Sequence, residues 1–194
     1  MDEGYIKYNS DWENREIEID EALFVDINYW RKRFYSKAWI GVYPDGIGFG
    51  NISLRLNGNQ FLISGSATGA HKEMEKAHYS IVRDFDLQLN SLNCYGSVAA
   101  SSESLSHAAL YKADKSISRI VHIHNMELWK KWKNKLPTTS KSIAYGTPEM
   151  AFGLQDCLKS KPGSKGIIIM GGHAEGIIAF GNDFEEIAKL LDEL

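Results

Sequence analysis

The sequence is organised around residues 101–124, which read SSESLSHAALYKADKSISRIVHIH. Glu103 to Lys115 has the composition of a helix, and the apolar run Ile120 to Ile123 predicts a short strand. Because alternate residues of a strand share one face, His122 and His124 project together, ~7 Å apart along the chain. Two imidazoles so placed can reach one metal ion at ~2.0–2.1 Å. Two polar residues on a solvent-facing strand would give the same pattern.

A third histidine follows another apolar run, Ile167 to Met170. His173 stands in Gly171-Gly172-His173-Ala174-Glu175-Gly176, where small neighbours allow close approach to a cleft. The alternative is an ordinary turn residue. Three histidines with an open position are typical of catalytic zinc, whereas structural sites use four protein ligands. The remaining histidines show no comparable arrangement and are expected to be structural or surface residues: His71, His78 and His107.

Helical and strand-like segments alternate on both sides of this stretch. Residues 22–34 predict an amphipathic helix with its basic residues near the end. Four β-type runs follow, broken by turn signals such as Asn57-Gly58-Asn59, and they cover residues 39–43, 51–56, 61–64 and 79–89. Downstream, residues 167–170 and 177–180 predict a strand pair. The pattern indicates an α/β fold with its early strands antiparallel.

Two further helix starts carry capping signals. Thr147-Pro148-Glu149 opens a helix that is expected to end near Leu158, because Thr caps well and Pro suits the first helical position. Asp183 begins a capping box for the last helix.

The domain organisation follows from composition: residues 1–21 form an acidic lead-in with eight acidic residues, and residues 22–194 form one domain without a compositional break.

Charge and composition restrict the partners. The 194 residues carry 22 Lys+Arg against 25 Asp+Glu, a net charge of −3, which argues against wholesale binding to nucleic acid or to an anionic membrane. The basic cluster Lys130–Lys135 is therefore interpreted as a solvated helix face. No apolar run approaches ~20 residues, and the acidic start, Met1 to Tyr5, lacks signal-peptide features. Two distant cysteines complete the expectation of a reduced, cytoplasmic protein.

Three short segments could bind an anion. Residues 46–51 and 64–69 are rich in small residues and could wrap a phosphate with backbone amides and hydroxyls, although ordinary turns look the same. Ser101 and Ser102 precede the predicted helix, where N–H groups favour anions. Glu103 is then either a first-turn residue or, beside a metal, a general base.

The order of these strings resembles the class II aldolase/adducin family. The succession is Gly50-Asn51-Ile52-Ser53, Ser64-Gly65-Ser66, Ser101-Ser102-Glu103, His122-Ile123-His124, Tyr145-Gly146-Thr147-Pro148-Glu149 and His173 with Gly176. Ser-Ser-Glu followed about twenty residues later by His-x-His is the most specific part. The resemblance runs from about Ala22 to Leu194, and departures such as the two residues between His173 and Gly176 indicate an outlying branch of that family.

The resemblance implies a fold, a site and an assembly. The fold would be a three-layer α/β/α arrangement with a central, largely antiparallel sheet flanked by helices. Zinc would be bound by His122, His124 and His173, and Glu103 would be the catalytic carboxylate. A substrate phosphate would contact Asn51, Ser66, Ser101 and Ser102. Tyr145 matches a catalytic aromatic that, in the family's fuculose-phosphate aldolase, reaches the site from a neighbouring subunit, and the chain would form a C4 homotetramer.

The resemblance also implies a reaction class. A zinc-dependent lyase would cleave a C–C bond in a phosphorylated keto-sugar or similar hydroxy-ketone through a metal-stabilised enediolate. Other members are sugar-phosphate epimerases or dehydratases, and in the dehydratases a glutamate near Glu149 is the acid/base. Adducin's head domain keeps the fold as a non-catalytic interaction module. Retention of zinc would distinguish an enzyme from such a scaffold.

Overall fold

The computed structural model describes residues 5–194, so Met1–Gly4, on which the reading of the N-terminus partly rests, lie outside it. The five α-helices of this part are α1 (Glu21–Ser36), α2 (Ser104–Ala113), α3 (Met126–Trp132), α4 (Pro148–Ser160) and α5 (Phe184–Asp192). The ten strands are β1 (Asn9–Asn14), β2 (Gly41–Val42), β3 (Gly48–Phe49), β4 (Asn51–Arg55), β5 (Phe61–Ser64), β6 (Tyr79–Asp86), β7 (Ser91–Gly96), β8 (Arg119–His124), β9 (Gly166–Ile169) and β10 (Gly176–Gly181).

Eight strands form one sheet in the order β1-β7-β6-β5-β4-β8-β10-β9, and β2 and β3 form a separate hairpin. Every neighbouring pair in the large sheet is antiparallel except β1 and β7. The expected α/β fold with a largely antiparallel sheet is confirmed. The predicted hairpin at Asn57-Gly58-Asn59 joins β4 to β5, with Gly58 at φ +64°.

Helices cover both faces of the sheet. α2 and α4 pack on one face, while α1, α3 and α5 pack on the other, giving the expected three layers. The alternation along β8 explains this, because Ile120 joins the α2/α4 core whereas Val121 and Ile123 join the opposite core. By the same period His122 follows Ile120 to the α2/α4 side. Caps match the sequence signals: the Thr147 and Asp183 side chains accept N–H bonds at the starts of α4 and α5.

The acidic segment before α1 contains a strand that composition did not indicate. β1 pairs in parallel with β7 at the sheet edge, and all six of its residues are exposed. A strand exposed on both faces needs no apolar alternation, so the usual sequence signal is missing. Tyr8 anchors its start: the ring is buried and its hydroxyl donates to the Ala100 carbonyl at 2.8 Å.

Among residues 5–194, none of the helices combines the length and the hydropathy that a membrane-spanning segment needs. Cys94 and Cys157 are buried and unpaired with each other. The basic cluster at residues 130–135 lies at the end of α3 and beyond it, where Lys133 Nζ donates to the Gly171 carbonyl at 3.2 Å.

Candidate metal centre and adjoining pocket

Three histidines from distant parts of the chain meet at one end of the sheet. His122 and His124 come from β8 and His173 from the β9–β10 turn, and all three are buried. One ring nitrogen from each lies within 4.8 Å of the others. The Nε2 atoms of His124 and His173 are 3.1 Å apart. The arrangement brings together all three histidines predicted as ligands.

Strand register and glycine positions place these rings. His122 lies opposite Asn51 of β4, and His124 lies opposite Gly176 of β10. Glycine is required at 176 because an added Cβ would stand 2.4 Å from Cδ2 of His173. The turn is held further by Met170, whose carbonyl accepts the His173 N–H at 3.1 Å. The small residues around His173 therefore make room for its ring.

Burial keeps these imidazoles neutral. Desolvation lowers the pKa of His173 to about 4, with a further contribution from the Lys7 cation. Burial also lowers the pKa of His122 and of His124 well below the usual value, and neighbouring histidines add to the effect. A metal competes with protons for the same lone pairs, so neutral rings at pH 7 are ready ligands.

A hydrogen-bonded chain sets the tautomer of His124. The Tyr43 hydroxyl donates to Glu175 Oε2 at 2.7 Å and lies 2.8 Å from Nδ1 of His124. Since the single hydroxyl proton goes to the carboxylate, Nδ1 of His124 supplies the proton of the second bond. The Nε2 lone pair then faces the other histidines. Partners of this kind fix metal-ligating imidazoles in many sites.

Asn51 stands in the same relation to His122. Its amide Nδ2 is 3.3 Å from Nδ1 of His122. Two buried atoms here have no hydrogen-bond partner among residues 5–194: Asn51 Oδ1 and His122 Nε2. Rotating the amide by 180° would let Oδ1 accept the Nδ1 proton and would leave Nε2 for a cation.

The donor set fits a divalent metal ion. Two nitrogens bound to one tetrahedral ion at 2.0–2.1 Å are about 3.4 Å apart, close to the observed separation of the His124 and His173 Nε2 atoms. His122 contributes a buried nitrogen without a partner in the described chain. Three neutral ligands leave the ion its full charge and an open position, as in catalytic sites.

A small polar cavity opens beside His122. It offers about 30 Å³ of free volume, enough for a compact polar group rather than a whole sugar. Its walls include every residue predicted to hold phosphate: Asn51, Ser66, Ser101 and Ser102. Thr68 also lines it, but its hydroxyl donates to the Gly65 carbonyl at 2.8 Å. Ser66 uses its backbone N–H to reach the Ala99 carbonyl, and no bond to its hydroxyl occurs within residues 5–194.

Glu103 reaches the same cavity from the start of α2. It occupies the N-cap position and is 3% exposed. The Ser106 hydroxyl donates to its Oε2 at 3.1 Å. Glu103 and His122 therefore face one cavity, the placement that a proton-transfer group beside a metal needs.

Tyr145 lies against the metal centre of its own chain. Its ring centroid is 4.8 Å from that of His173. The resemblance implied an aromatic at this position that reaches the site of a neighbouring subunit, which remains a prediction, and within its own chain Tyr145 packs beside His173. The reason is local: the preceding loop folds onto the His173 turn, where a Cβ at Gly172 would stand 1.9 Å from the Ile143 carbonyl oxygen.

Four residues near the centre were not found from the sequence. Lys7 Nζ stands 3.8 Å from the centroid of the Tyr145 ring, and Phe49 stacks on His124 at 5.5 Å. Tyr43 and Glu175 form the chain to His124 described above. None carries a spacing signal, although Glu175 has a positive φ of 69°, which is uncommon for a non-glycine residue.

Other candidates lie apart from the site. Glu149 is exposed in the first turn of α4, as an N-terminal acidic residue would be. The rings of His71 and His78 contact each other near the surface, with centroids 4.2 Å apart and planes tilted by 31°. His107 is fully buried and its Nδ1 lies 2.7 Å from the Ser53 hydroxyl, which supports a structural role.

Comparison with known proteins adds a family and a set of similar folds. The profile of the family described as "Class II Aldolase and Adducin N-terminal domain" matches residues 45–194. That range includes the three histidines, Glu103 and the lining of the cavity, but not Lys7. No curated protein matches the chain by sequence.

Solved structures share the architecture at low identity. YgbL from Klebsiella pneumoniae, a putative aldolase/epimerase/decarboxylase, matches with a TM-score of 0.66 at 17% identity, over 91% of this chain and 86% of that one. An L-fuculose 1-phosphate aldolase matches with a TM-score of 0.65 at 17% identity, over 93% and 85%. A sugar-phosphate aldolase from Thermotoga maritima matches with a TM-score of 0.62 at 14% identity, over 86% of this chain and 87% of that one. At such identities the likeness concerns the fold.

Proposed function

This chain belongs to the class II aldolase and adducin family, and we propose that it is a zinc-dependent lyase. Its reaction would cleave a C–C bond in a phosphorylated keto-sugar or a similar hydroxy-ketone. The observation that carries the proposal is the contact between two features: a buried triad of neutral histidines and a polar cavity that contains Glu103. The similarity of the fold to that of two sugar-phosphate aldolases supports the same reaction class.

His122, His124 and His173 would hold the metal. When bound, a zinc ion supplies Lewis-acid stabilisation of the negative charge that develops on a substrate oxygen as the C–C bond breaks. The protein keeps the donors neutral by burial and fixes one of them through Tyr43 and Glu175. Cobalt, nickel or manganese would also suit three imidazoles, so zinc is the expected ion rather than the required one.

The cavity would hold the phosphate. Asn51, Ser66 and the Ser101–Ser102 pair offer amide and hydroxyl donors around a space of phosphate scale. Ser101 and Ser102 stand just before α2, whose N-terminus favours an anion. Anchoring the phosphate fixes the distance between the carbon chain and Glu103. Positioning of this kind lowers the entropy cost of the reaction.

Glu103 would move the proton on the reacting carbon. Its carboxylate is buried at the cavity, and Ser106 orients one oxygen. Tyr145, beside His173, would close the other side of the centre and orient the reacting carbonyl. The string Tyr145-Gly146-Thr147 favours cleavage over dehydration, and Glu149 is then a first-turn residue of α4.

Assembly and location are part of the proposal. We expect a C4 homotetramer in the cytoplasm, with substrate specificity completed where subunits meet. The chain would act on a small phosphorylated molecule and would bind neither nucleic acid nor membrane. Light scattering tests the assembly, and a monomer would remove the role assigned to the subunit boundary.

Metal analysis tests the centre directly. We expect about one zinc per chain in the purified protein by plasma mass spectrometry, and loss of that metal in His122→Ala and in His173→Ala. His71→Ala is the matched control, because His71 is exposed and lies outside the triad. Metal retained in both triad variants would contradict the site. A native protein that binds no zinc even when it is supplied would favour an interaction module.

The zinc-loaded protein can then be tested for its reaction. Phosphorylated keto-sugars are screened for aldehyde release, water loss and epimerisation in parallel. We expect aldehyde release, with dihydroxyacetone phosphate or a related fragment as co-product. Epimerisation or dehydration without cleavage would assign the chain to another branch of its family.

A further inference from the structure

Arg31 of α1 is a buried cation behind the wall of the cavity. The residue is only 1% exposed, although its helix neighbours Lys32 and Arg33 reach solvent. Within residues 5–194 no carboxylate lies within ion-pair distance of its guanidinium. Instead, Glu73 attracts the guanidinium from beyond ion-pair distance, and Cζ of Arg31 lies 4.8 Å from the centroid of the Tyr35 ring. Arg31 also precedes residues 45–194, the range that matches the family profile.

The guanidinium binds backbone carbonyls of one loop instead. Arg31 Nη2 donates to the Thr68 carbonyl at 3.3 Å and to the Gly69 carbonyl at 3.1 Å, and Nη1 donates to the carbonyls of His71 and Lys72. The loop concerned, residues 65–72, includes one wall of the cavity, because residues 65–69 line it. One side chain therefore holds four of the backbone carbonyls of this loop in place.

The same bonds orient the N–H groups of the loop. A trans peptide points its N–H opposite to its C=O, and the described chain has no cis peptide. The N–H groups of Gly69 and Ala70 therefore point away from Arg31. Among residues 5–194, nothing accepts a hydrogen bond from the N–H groups of Ala67, Thr68, Gly69 or Ala70. Ala67 has a φ of +59°. Successive N–H groups without partners beside such a residue form the kind of concavity that binds anions.

The cavity wall itself contains no lysine or arginine. An anion there would contact only neutral amides and hydroxyls, apart from any metal nearby. Arg31 would supply positive charge from behind the loop, through the peptide dipoles that it aligns. A bound phosphate would in turn compensate the buried guanidinium.

We propose that Arg31 is a positioning residue for anion binding, which shapes the 65–72 loop into a phosphate-binding concavity without touching the phosphate. The inference rests on the proposed function, since it takes the cavity to be the phosphate site. It assigns a role to a residue of α1, a helix that lies outside the part of the chain that matches the family profile. It also gives a reason for burying an arginine that forms no ion pair within 4 Å among residues 5–194.

The chain offers a matched control in Arg55. Its guanidinium also binds backbone carbonyls, those of Ile117, Tyr111 and Asp114, at 2.7–2.9 Å. That clamp holds the connection from α2 to β8, away from the residues that line the cavity. Arg55→Lys and Arg31→Lys both keep a cation and both lose the planar fork that binds several carbonyls. Only Arg31→Lys should change anion binding.

The test uses the metal-loaded protein and glycerol 3-phosphate, with glycerol as the uncharged comparison. Calorimetry gives Kd for the wild type, Arg31→Lys, Arg31→Met and Arg55→Lys, and zinc content is measured in each sample. We expect Arg31→Lys to weaken glycerol 3-phosphate binding by about tenfold, the equivalent of one hydrogen bond to a charged group. Arg55→Lys should stay within about twofold of the wild type, and all variants that fold should keep zinc.

A measurement on the wild type covers the case in which the Arg31 variants fail to fold. Hydrogen exchange of the peptide that contains Gly69 and Ala70 should slow when glycerol 3-phosphate is added and should not respond to glycerol. Equal affinity in Arg31→Lys and the wild type, or unchanged exchange at Gly69 and Ala70 despite binding, would overturn the positioning role alone. A zinc-loaded wild type that does not bind glycerol 3-phosphate would overturn the phosphate site and this inference together.

Discussion

Replacing Tyr43 by phenylalanine should weaken metal binding although Tyr43 is not a ligand. The substitution removes one oxygen and keeps the ring, which packs on Phe49 with centroids 4.5 Å apart. The lost hydroxyl accepts the proton of His124 Nδ1 at 2.8 Å and donates to Glu175 at 2.7 Å. Glu175 Oε2 lies 3.8 Å from Nδ1, too far to replace the hydroxyl directly.

The size of the effect follows from what the hydroxyl does. Holding the tautomer with Nδ1 protonated keeps the Nε2 lone pair of His124 directed to the metal, and the carboxylate beyond it increases the basicity of the ring. Outer partners of metal-binding histidines typically change affinity by about 10–100-fold. That range corresponds to roughly 1.4–2.7 kcal/mol. We expect the Kd for zinc to rise by this factor in Tyr43→Phe.

The assay is competition for zinc against a chromophoric chelator at pH 7. Glu175→Gln keeps an acceptor for the Tyr43 hydroxyl but removes the charge, so its loss of zinc affinity should be smaller than that of Tyr43→Phe. Tyr29→Phe is the control for loss of a tyrosine hydroxyl, because Tyr29 is 53% exposed and packs on Trp30 of α1. If Tyr43→Phe binds zinc as tightly as Tyr29→Phe, the hydroxyl does not control the ligand and the reasoning fails.

Three further predictions concern catalysis, packing and pH. Glu103→Gln should keep one zinc per chain and lower turnover of the substrate found by screening by about 10²–10⁴-fold; an unchanged rate would remove Glu103 from proton transfer. Lys7→Met should lower the free energy of unfolding in urea by about 0.5–2 kcal/mol, because it loses the ammonium above Tyr145 and keeps its stem, whereas Lys7→Arg should recover most of the loss. Burial lowers the pKa of His107 to about 3 from its usual 6.5, so the stability that depends on its neutral form is complete above pH 6.5 and falls as pH drops toward 3. In metal-free protein, His107→Gln should flatten that fall by up to ~1.4 kcal/mol per pH unit, and equal slopes of urea midpoint against pH would contradict the assignment.

The meeting of the three histidines could be predicted because local signals and the family resemblance agree. Strand alternation puts His122 and His124 on one face, the glycines around His173 indicate a turn with room for a ring, and the resemblance groups the three. Both patterns survive in the folded chain, where the three rings meet. The helix start at Ser101-Ser102 indicated an anion site beside Glu103, and the resemblance implied its role as the catalytic carboxylate.

The residues around the ligands could not be predicted because their positions depend on long-range packing. Tyr43 reaches His124 only because the β2–β3 hairpin folds over β8, and no spacing encodes that contact. Arg31 shows a narrower limit. It lies four residues after Ile27 and three before Phe34, so the helical period places it on the buried face of α1, but no spacing shows which loop it contacts. Strand β1 was missed because an exposed edge strand has no apolar period.

The position of β10 in the sheet makes completion of the chain a condition for solubility. β8 pairs with β4 on one side and with β10 on the other, so its second edge stays open until β10 has been synthesised. During that interval Val121 and Ile123 expose apolar side chains beside unpaired backbone groups, the combination that recruits other strands. A nascent chain that stops before residue 176 should therefore aggregate rather than remain as a folded intermediate. Sedimentation of a fragment ending at residue 165 would reveal this, and zinc would not rescue it, because the fragment lacks His173.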